Sequence, residues 1–262
     1  MDSSHSSFTD FVFGKDVFLK TEYPVAVDSN DAYLIPEEHA KYFGQPLSFI
    51  CDFHSGEALA KELLSERPGR TKLLDLGTGT GSVPLTMRKS GMQSLGLDGL
   101  DVGKKGVVKP HMIAAVSGQH HVEDYAWAVA PEIVDCCDIT KPFRIEDKQA
   151  DQVKFDYIIS TDCFEHLVTD RVPQLVDNIY DHLADDGWGI FEVSTGLFMH
   201  LHQTVKPIEW WKEMFLRRFV IDEERSARDF LYVRSKSEGG QLKYLSTGDI
   251  DGFKILFWCR KR

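Results

Sequence analysis

An α/β protein built on one doubly wound, mostly parallel sheet is the fold this sequence predicts, on three observations. From residue 72 to residue 194, short apolar runs alternate with amphipathic stretches, the pattern of buried strands joined by crossover helices. One of those runs opens directly into Gly77-Thr78-Gly79-Thr80-Gly81, ahead of a helical pattern. The chain ends in a strand-rich stretch, residues 230–262, broken by Gly-rich turns, which fits antiparallel strands completing one side of the sheet.

Taken in order, residues 1–70 read as an N-terminal cap that closes with a helix over ALAKELLSE, stopped by Arg67-Pro68-Gly69-Arg70. KLLDLG (72–77) is a short apolar run ending in glycine and predicts a buried parallel strand. SVPLTMRKSG predicts a helix with Pro84 in its first turn and Gly91 at its end. SLGLD (94–98), EIVDCCD (132–138), FDYIIST (155–161) and WGIFEVS (188–194) predict four more strands. The interval 99–133 exceeds a simple crossover and carries Gly103, Gly106, Pro110, Gly118 and His120-His121, so a surface insertion is expected there. Val172, Leu175, Val176, Ile179 and Leu183 make one helical stripe within 172–187, with Gly187 as the expected stop. A further helix is expected over 207–219. Residues 71–262 are read as one domain.

The 262 residues are 42% hydrophobic and carry a formal charge of −11, from 41 acidic and 30 basic side chains. That charge disfavours nucleic acid as a partner, since polyanion binding rests on clustered Lys and Arg. No apolar run approaches the roughly 18 residues a membrane helix needs, and the polar start MDSSHSSFTD lacks the features of a secretion signal and reads as a frayed terminus. The five cysteines, Cys51, Cys136, Cys137, Cys163 and Cys259, are odd in number and include no C-x-x-C pair. Reduced thiols in a cytoplasmic protein are the expectation.

The glycine loop is the strongest chemical signal. A strand that ends in small residues at the opening of a helix lets a ligand approach the backbone closely. A second strand then ends in Asp98, seventeen residues beyond Gly81, where a carboxylate accepts hydrogen bonds from both hydroxyls of a ribose. The fingerprint of the nicotinamide dinucleotides, G-x-G-x-x-G/A, would place Ser82 at its third position. The spacing here is instead G-x-G-x-G, with Asp75 two residues ahead of it.

In these residues the chain resembles the class I S-adenosylmethionine-dependent methyltransferases, whose first motif is an acidic residue followed by G-x-G-x-G. Asp98 matches the family's ribose-binding acid, and Asp138 at the end of the third strand matches the acid beside the adenine. Residues 155–162 resemble the fourth-strand motif, and LADDGWGIFEVS resembles the helix–glycine–fifth-strand signature. The resemblance runs from Lys72 to the C-terminus. It implies a Rossmann-like, doubly wound sheet of seven strands, mostly parallel with an antiparallel edge strand. It also implies S-adenosyl-L-methionine as cofactor, held by Asp75, Gly77, Thr78, Gly79, Gly81, Asp98, Asp138, Ile139 and Thr161.

No Asn/Asp-Pro-Pro-Tyr tetrad follows the fourth strand, so the likeness does not extend to methyltransferases of DNA bases. Asp162-Cys163-Phe164-Glu165-His166 instead resembles an E-x-x-E-H variant found in small-molecule O-methyltransferases and some RNA-end methyltransferases, with Asp162 at the first acid. The resemblance implies catalytic roles for Asp162, His166 and His202, with a histidine as general base toward a hydroxyl. In some relatives the corresponding acids and histidines hold a divalent metal, which here would fall to Asp162, Glu165, His166 and His202. Of Trp210 and Trp211, one is expected in the core and the other beside the substrate, because adjacent helical residues diverge by ~100°. Tyr23, Tyr33 and Phe49 are candidate lid residues. In Leu97-Asp98-Gly99, in residues 138–143 and in Thr204-Val205-Lys206-Pro207 with Trp210-Trp211, the chain also looks like a bacterial and phage subgroup that often accompanies surface-polysaccharide genes, which implies a sugar or phosphorylated metabolite as acceptor. RNA methylation and a non-catalytic cofactor-binding module are the alternatives.

Overall fold

The parallel strand β2 (Lys72–Leu76) lies inside the main sheet, and four of its five residues are buried. The computed structural model describes residues 11–24, 26, 53–79, 81–99, 126–161, 163–194, 202–228 and 254–262. Tyr33, Phe49, Cys51, Thr80, most of the 99–133 insertion with His120-His121, Asp162 and most of the tail before residue 254 lie outside the described residues.

Strand β1 (Val17–Thr21) and helix α1 (Phe53–Glu66) precede β2. Helix α2 (Ser82–Lys89) and strand β3 (Gln93–Asp98) follow it, then the short helix α3 (Ala126–Val129) and strand β4 (Val134–Cys136). Next come β5 (Phe143–Asp147), β6 (Phe155–Ser160), helix α4 (Val172–His182) and β7 (Leu183–Ser194). Helix α5 (Ile208–Leu216), strand β8 (Phe219–Ile221), helix α6 (Glu223–Arg228) and strand β9 (Lys254–Lys261) complete the described chain.

Seven strands form the main sheet in the order β4-β3-β2-β6-β7-β9-β8. The first five run parallel, and β9 is antiparallel to both β7 and β8. The strand order reverses between β2 and β6, which opens a crevice at their carboxyl ends. This is the doubly wound, mostly parallel sheet that the sequence predicts.

Several boundaries differ from expectation. The helix expected over 172–187 stops at His182, and Leu183 takes extended angles and pairs with Phe155. The ladder resumes at Tyr157–Trp188, so residues 184–187 form a bulge rather than a last helical turn. Gly187 belongs to that bulge, where a Cβ would lie 2.9 Å from the Leu183 side chain. The helix expected over 207–219 ends at Leu216, and the strand expected over 132–138 shrinks to three residues behind a single 3₁₀ turn, Pro131–Ile133. The N-terminal segment supplies strand as well as helix: β1 pairs antiparallel with β5 in a separate two-stranded sheet. Their half-buried faces lack the continuous apolar run that marked the central strands.

The α4 stripe is buried as predicted, with Val172, Leu175, Val176 and Ile179 all at or below 1% exposure. It shares one core with an aromatic group of Phe164, Phe191, Trp211, Phe215, Phe219 and Phe257. A second core on the other face joins Leu59, Leu63, Leu73, Met87, Tyr157 and Trp258. Among the described residues no helix is long and apolar enough to cross a membrane.

Candidate functional site

The loop after β2 is shaped by three glycines in left-handed backbone conformations, Gly77, Gly79 and Gly81, with φ of 77°, 54° and 74°. Two of them are also packed to contact. A Cβ on Gly77 would lie 2.4 Å from the Cys163 sulfur, and one on Gly81 would lie 2.6 Å from Cβ of Ala126. Glycine is therefore required twice over at these positions, by backbone angle and by space.

The described backbone donors of this loop, those of Gly77, Thr78, Gly79 and Gly81, are consumed inside the protein. The N–H groups of Gly77 and Thr78 donate to the Leu97 carbonyl at 2.8 and 3.1 Å, and that of Gly81 donates to the Thr78 carbonyl at 2.9 Å. Gly79 donates to the Asp98 carboxylate at 2.6 Å. Loops that cradle a pyrophosphate leave such groups open to the ligand. This one instead spends its described donors on β3 and on its own Thr78 carbonyl, and sets two carboxyls beside it.

Those carboxyls are Asp75 and Asp98, 2% and 8% exposed. Asp75 accepts the Thr78 hydroxyl at 2.7 Å. Its pKa is pushed up from 3.8 to about 7, first by burial and then by the negative charge of Asp98, against the lowering effect of the Thr78 hydrogen bond. Two buried acids close enough for one to raise the other's pKa favour a cationic ligand. Asp138, also buried, closes a small turn in which one carboxylate oxygen accepts both the N–H and the hydroxyl of Thr140, at 3.0 and 2.6 Å. The Ile139 carbonyl accepts the Asn178 side-chain amide at 2.8 Å. Thr161 is exposed at the carboxyl end of β6.

Across the crevice, Phe164–His166 forms one 3₁₀ turn. Cys163 precedes it, its thiol packed on Gly77 and pushed above its ordinary pKa by burial, which disfavours the thiolate. The Glu165 carbonyl accepts the N–H groups of Gln203 and Thr204 at 2.8 and 2.9 Å, and the Thr204 hydroxyl donates to the Leu167 carbonyl at 2.7 Å. These bonds stitch the 202–206 segment onto the turn and bring His202 to His166, with ring centroids 4.8 Å apart and planes at 78°. Ligand atoms of Glu165, His166 and His202 all lie within 4.8 Å of one another. Glu165 is fully buried, and both histidines are half-buried. Asp162 lies outside the described residues. Trp211 is the core member of its pair, packed against Phe164 and Phe215, and Trp210 is half-buried at 4.9 Å from it.

Trp127, whose indole N–H donates to the Gly79 carbonyl at 2.7 Å, carries no signal in the sequence. Nor does the sequence mark Ala126 as the residue seated on Gly81. Both lie within the 99–133 insertion, where no periodicity links them to the loop. The Asp138-Ile139-Thr140 turn has a legible signal, an Asp followed two residues later by Thr.

A family model described as a methyltransferase domain matches residues 50–241. No curated protein matches the chain. Among solved structures, an S-adenosylmethionine-dependent methyltransferase from Clostridium acetobutylicum ATCC 824 aligns with a TM-score of 0.50 and 12% identity, over 80% of this chain and 92% of that one. A TehB-like S-adenosylmethionine-dependent methyltransferase from Corynebacterium glutamicum aligns with a TM-score of 0.48 and 19% identity, over 79% of this chain and 88% of that one. The family match spans well over half of the chain, which therefore belongs to the methyltransferase-domain family as a class I S-adenosylmethionine-dependent methyltransferase.

Proposed function

We propose that this enzyme methylates a hydroxyl group of a small molecule, such as a sugar or phosphorylated metabolite, with the His166–His202 pair receiving the hydroxyl proton. The observation that carries the reading is that pair itself, two half-buried imidazoles in edge contact at the crevice, on a turn packed against the glycine loop.

The residues present fit the cofactor. Asp75 and Asp98 offer negative charge to a cation, and the N–H groups of Gly77, Thr78, Gly79 and Gly81 are already occupied. In this reading Asp98 holds the ribose, Asp138 and Ile139 border the adenine, and Gly77, Thr78, Gly79, Gly81 and Thr161 line the space between. When bound, S-adenosylmethionine supplies a methyl group already activated on positively charged sulfur. The protein is left to exclude water, align the acceptor oxygen and take its proton. An imidazole does that near neutral pH without a metal. The charge of −11 favours a small acceptor over RNA.

A divalent ion on Glu165, His166 and His202, with Asp162 as a further ligand, is the second reading, favoured by the clustering of ligand atoms of Glu165, His166 and His202. An ion there would polarise the acceptor hydroxyl.

The test is release of S-adenosylhomocysteine across sugar nucleotides, phosphorylated metabolites and free sugars. With an active acceptor, His166→Ala or His202→Ala should lower turnover at least about tenfold while cofactor affinity stays nearly unchanged. Unaltered turnover in both variants removes the pair from the mechanism. Loss of activity in a chelator, restored by Mg²⁺ or Mn²⁺, selects the metal reading.

A further inference from the structure

Strand β1 is held by β5 along its length, from Val17 opposite Asp147 to Thr21 opposite Phe143. Beyond it the Thr21 hydroxyl accepts the Tyr23 N–H at 3.0 Å, and the chain turns toward the carboxyl edge of the main sheet. Two backbone bonds then fasten it there. The Tyr23 carbonyl accepts the Asp138 N–H at 2.9 Å, and Ala26 donates its N–H to the Gly99 carbonyl at 2.9 Å. Gly99 directly follows Asp98, so the segment crosses the ends of β3 and β4 at the two acids.

The crossing is closely fitted. A Cβ on Gly99 would lie 2.8 Å from the Ala26 Cβ, and the Lys141 ammonium lies 5.5 Å from the centre of the Tyr23 ring. The Asp138 turn is thus held from two sides, its carboxylate by Thr140 and its N–H by Tyr23.

We infer that residues 21–24 and Ala26 are a strap forming the outer wall of the adenosine half of the cofactor site, so that fastening the strap and binding adenosine are coupled. The inference rests on the reading that Asp98 and Asp138 hold the adenosine. The coupling is physical. Releasing the strap frees the Asp138 N–H beside the acid that the adenine meets, and it uncovers the backbone next to the ribose acid. Each effect takes order away from the pocket, and the ligand must then restore it on binding.

The strap can be loosened from either side. Ala26→Pro removes the N–H that Gly99 accepts, and Gly99→Ala pushes a methyl group into Ala26. Calorimetry of the full chain with S-adenosylhomocysteine should show each variant binding at least about fivefold more weakly, the worth of one hydrogen bond. Melting temperatures without ligand should stay within a few degrees of the parent. The double variant Gly99→Ala/Ala26→Gly, which removes the opposing methyl, should recover affinity relative to Gly99→Ala alone, a result that general damage to the fold would not give. Parent-like binding by both Ala26→Pro and Gly99→Ala, with binding lost in Asp98→Ala, overturns the strap and leaves the cofactor site standing. No recovery in the double variant also overturns it. A parent protein that ignores S-adenosylhomocysteine overturns the cofactor site and the strap together.

Discussion

The indole of Trp127 donates its N–H to the carbonyl of Gly79 at 2.7 Å, while the N–H of the same glycine is held by Asp98 at 2.6 Å. Gly79 is therefore gripped at both ends of its residue, once by β3 and once by α3. Because Gly79 has a positive φ, its conformation is open to drift when either grip is lost. Trp127→Phe keeps the ring and removes the donor. Its affinity for S-adenosylhomocysteine should fall about fivefold, the cost of one hydrogen bond, with the unliganded melting temperature little changed. Calorimetry beside a thermal melt checks both halves.

Cofactor binding should depend on pH through Asp75. Its folded-state pKa of about 7, against an ordinary value of 3.8, means that the folded protein retains a proton between about pH 4 and 7 that the unfolded chain has lost. Without ligand, stability therefore falls as pH rises through that window. A cationic ligand favours the ionised carboxylate, so affinity for S-adenosylmethionine should rise from pH 6 to pH 8. Binding near pH 7 should release protons, which calorimetry in buffers of different ionisation enthalpy measures. Asp75→Asn should flatten the profile.

The glycine loop was legible because its signal is local: a strand, a fixed spacing and a helix within about twenty residues. The joining of His166 to His202 was implied by the resemblance to the E-x-x-E-H methyltransferases, in some of which a later histidine joins the first. The end of α4 was not legible. His182 and Leu183 continue the helical pattern, but Leu183 is drawn into the sheet by Phe155, and His182 stacks on Phe143 at 4.5 Å. Those partners lie far back in the chain, and tertiary packing overrides a local helical preference of a few tenths of a kcal/mol per residue. Strands β1 and β5 escaped detection for a related reason. Each is defined by its pairing with the other, across more than a hundred residues of sequence.

Gly96, in the middle of β3, should prove as constrained as the loop glycines although its backbone is ordinary. A Cβ there would lie 2.5 Å from the Thr78 hydroxyl oxygen and 2.9 Å from its Cβ. Thr78 in turn caps Asp75. Gly96→Ala should cost about 1–3 kcal/mol, the usual penalty for overpacking, and should weaken cofactor binding by displacing that cap. Thr78→Ala removes the nearest clashing atom. The double variant should therefore be more stable than the sum of the two single losses. Urea denaturation of the three variants gives the coupling, and strict additivity would dissociate Gly96 from the loop.

His182 should make the protein acid-sensitive in a way independent of the cofactor site. Its Nδ1 lies 2.8 Å from the Asn178 carbonyl, so in the neutral ring that nitrogen carries the hydrogen and Nε2 is the basic one. Nε2 is buried with no hydrogen-bond partner among the described residues, and a second proton would sit there uncompensated. Burial lowers the pKa from 6.5 to about 4, the Asn178 carbonyl opposes it, Lys154 and Arg144 lower it further, and Asp181 raises it. The unfolded chain takes up this proton near pH 6.5 and the folded one only near pH 4. The neutral ring's contribution to stability is thus complete above pH 6.5 and is lost as pH falls toward 4, by about 3 kcal/mol at most. His182→Phe keeps a flat ring to stack on Phe143 and removes the titration. Its urea midpoint should start lower at pH 7.5, for want of the Asn178 bond, yet decline less between pH 6.5 and 4 than the parent's. Parallel declines in the two proteins would assign the acid sensitivity to other groups.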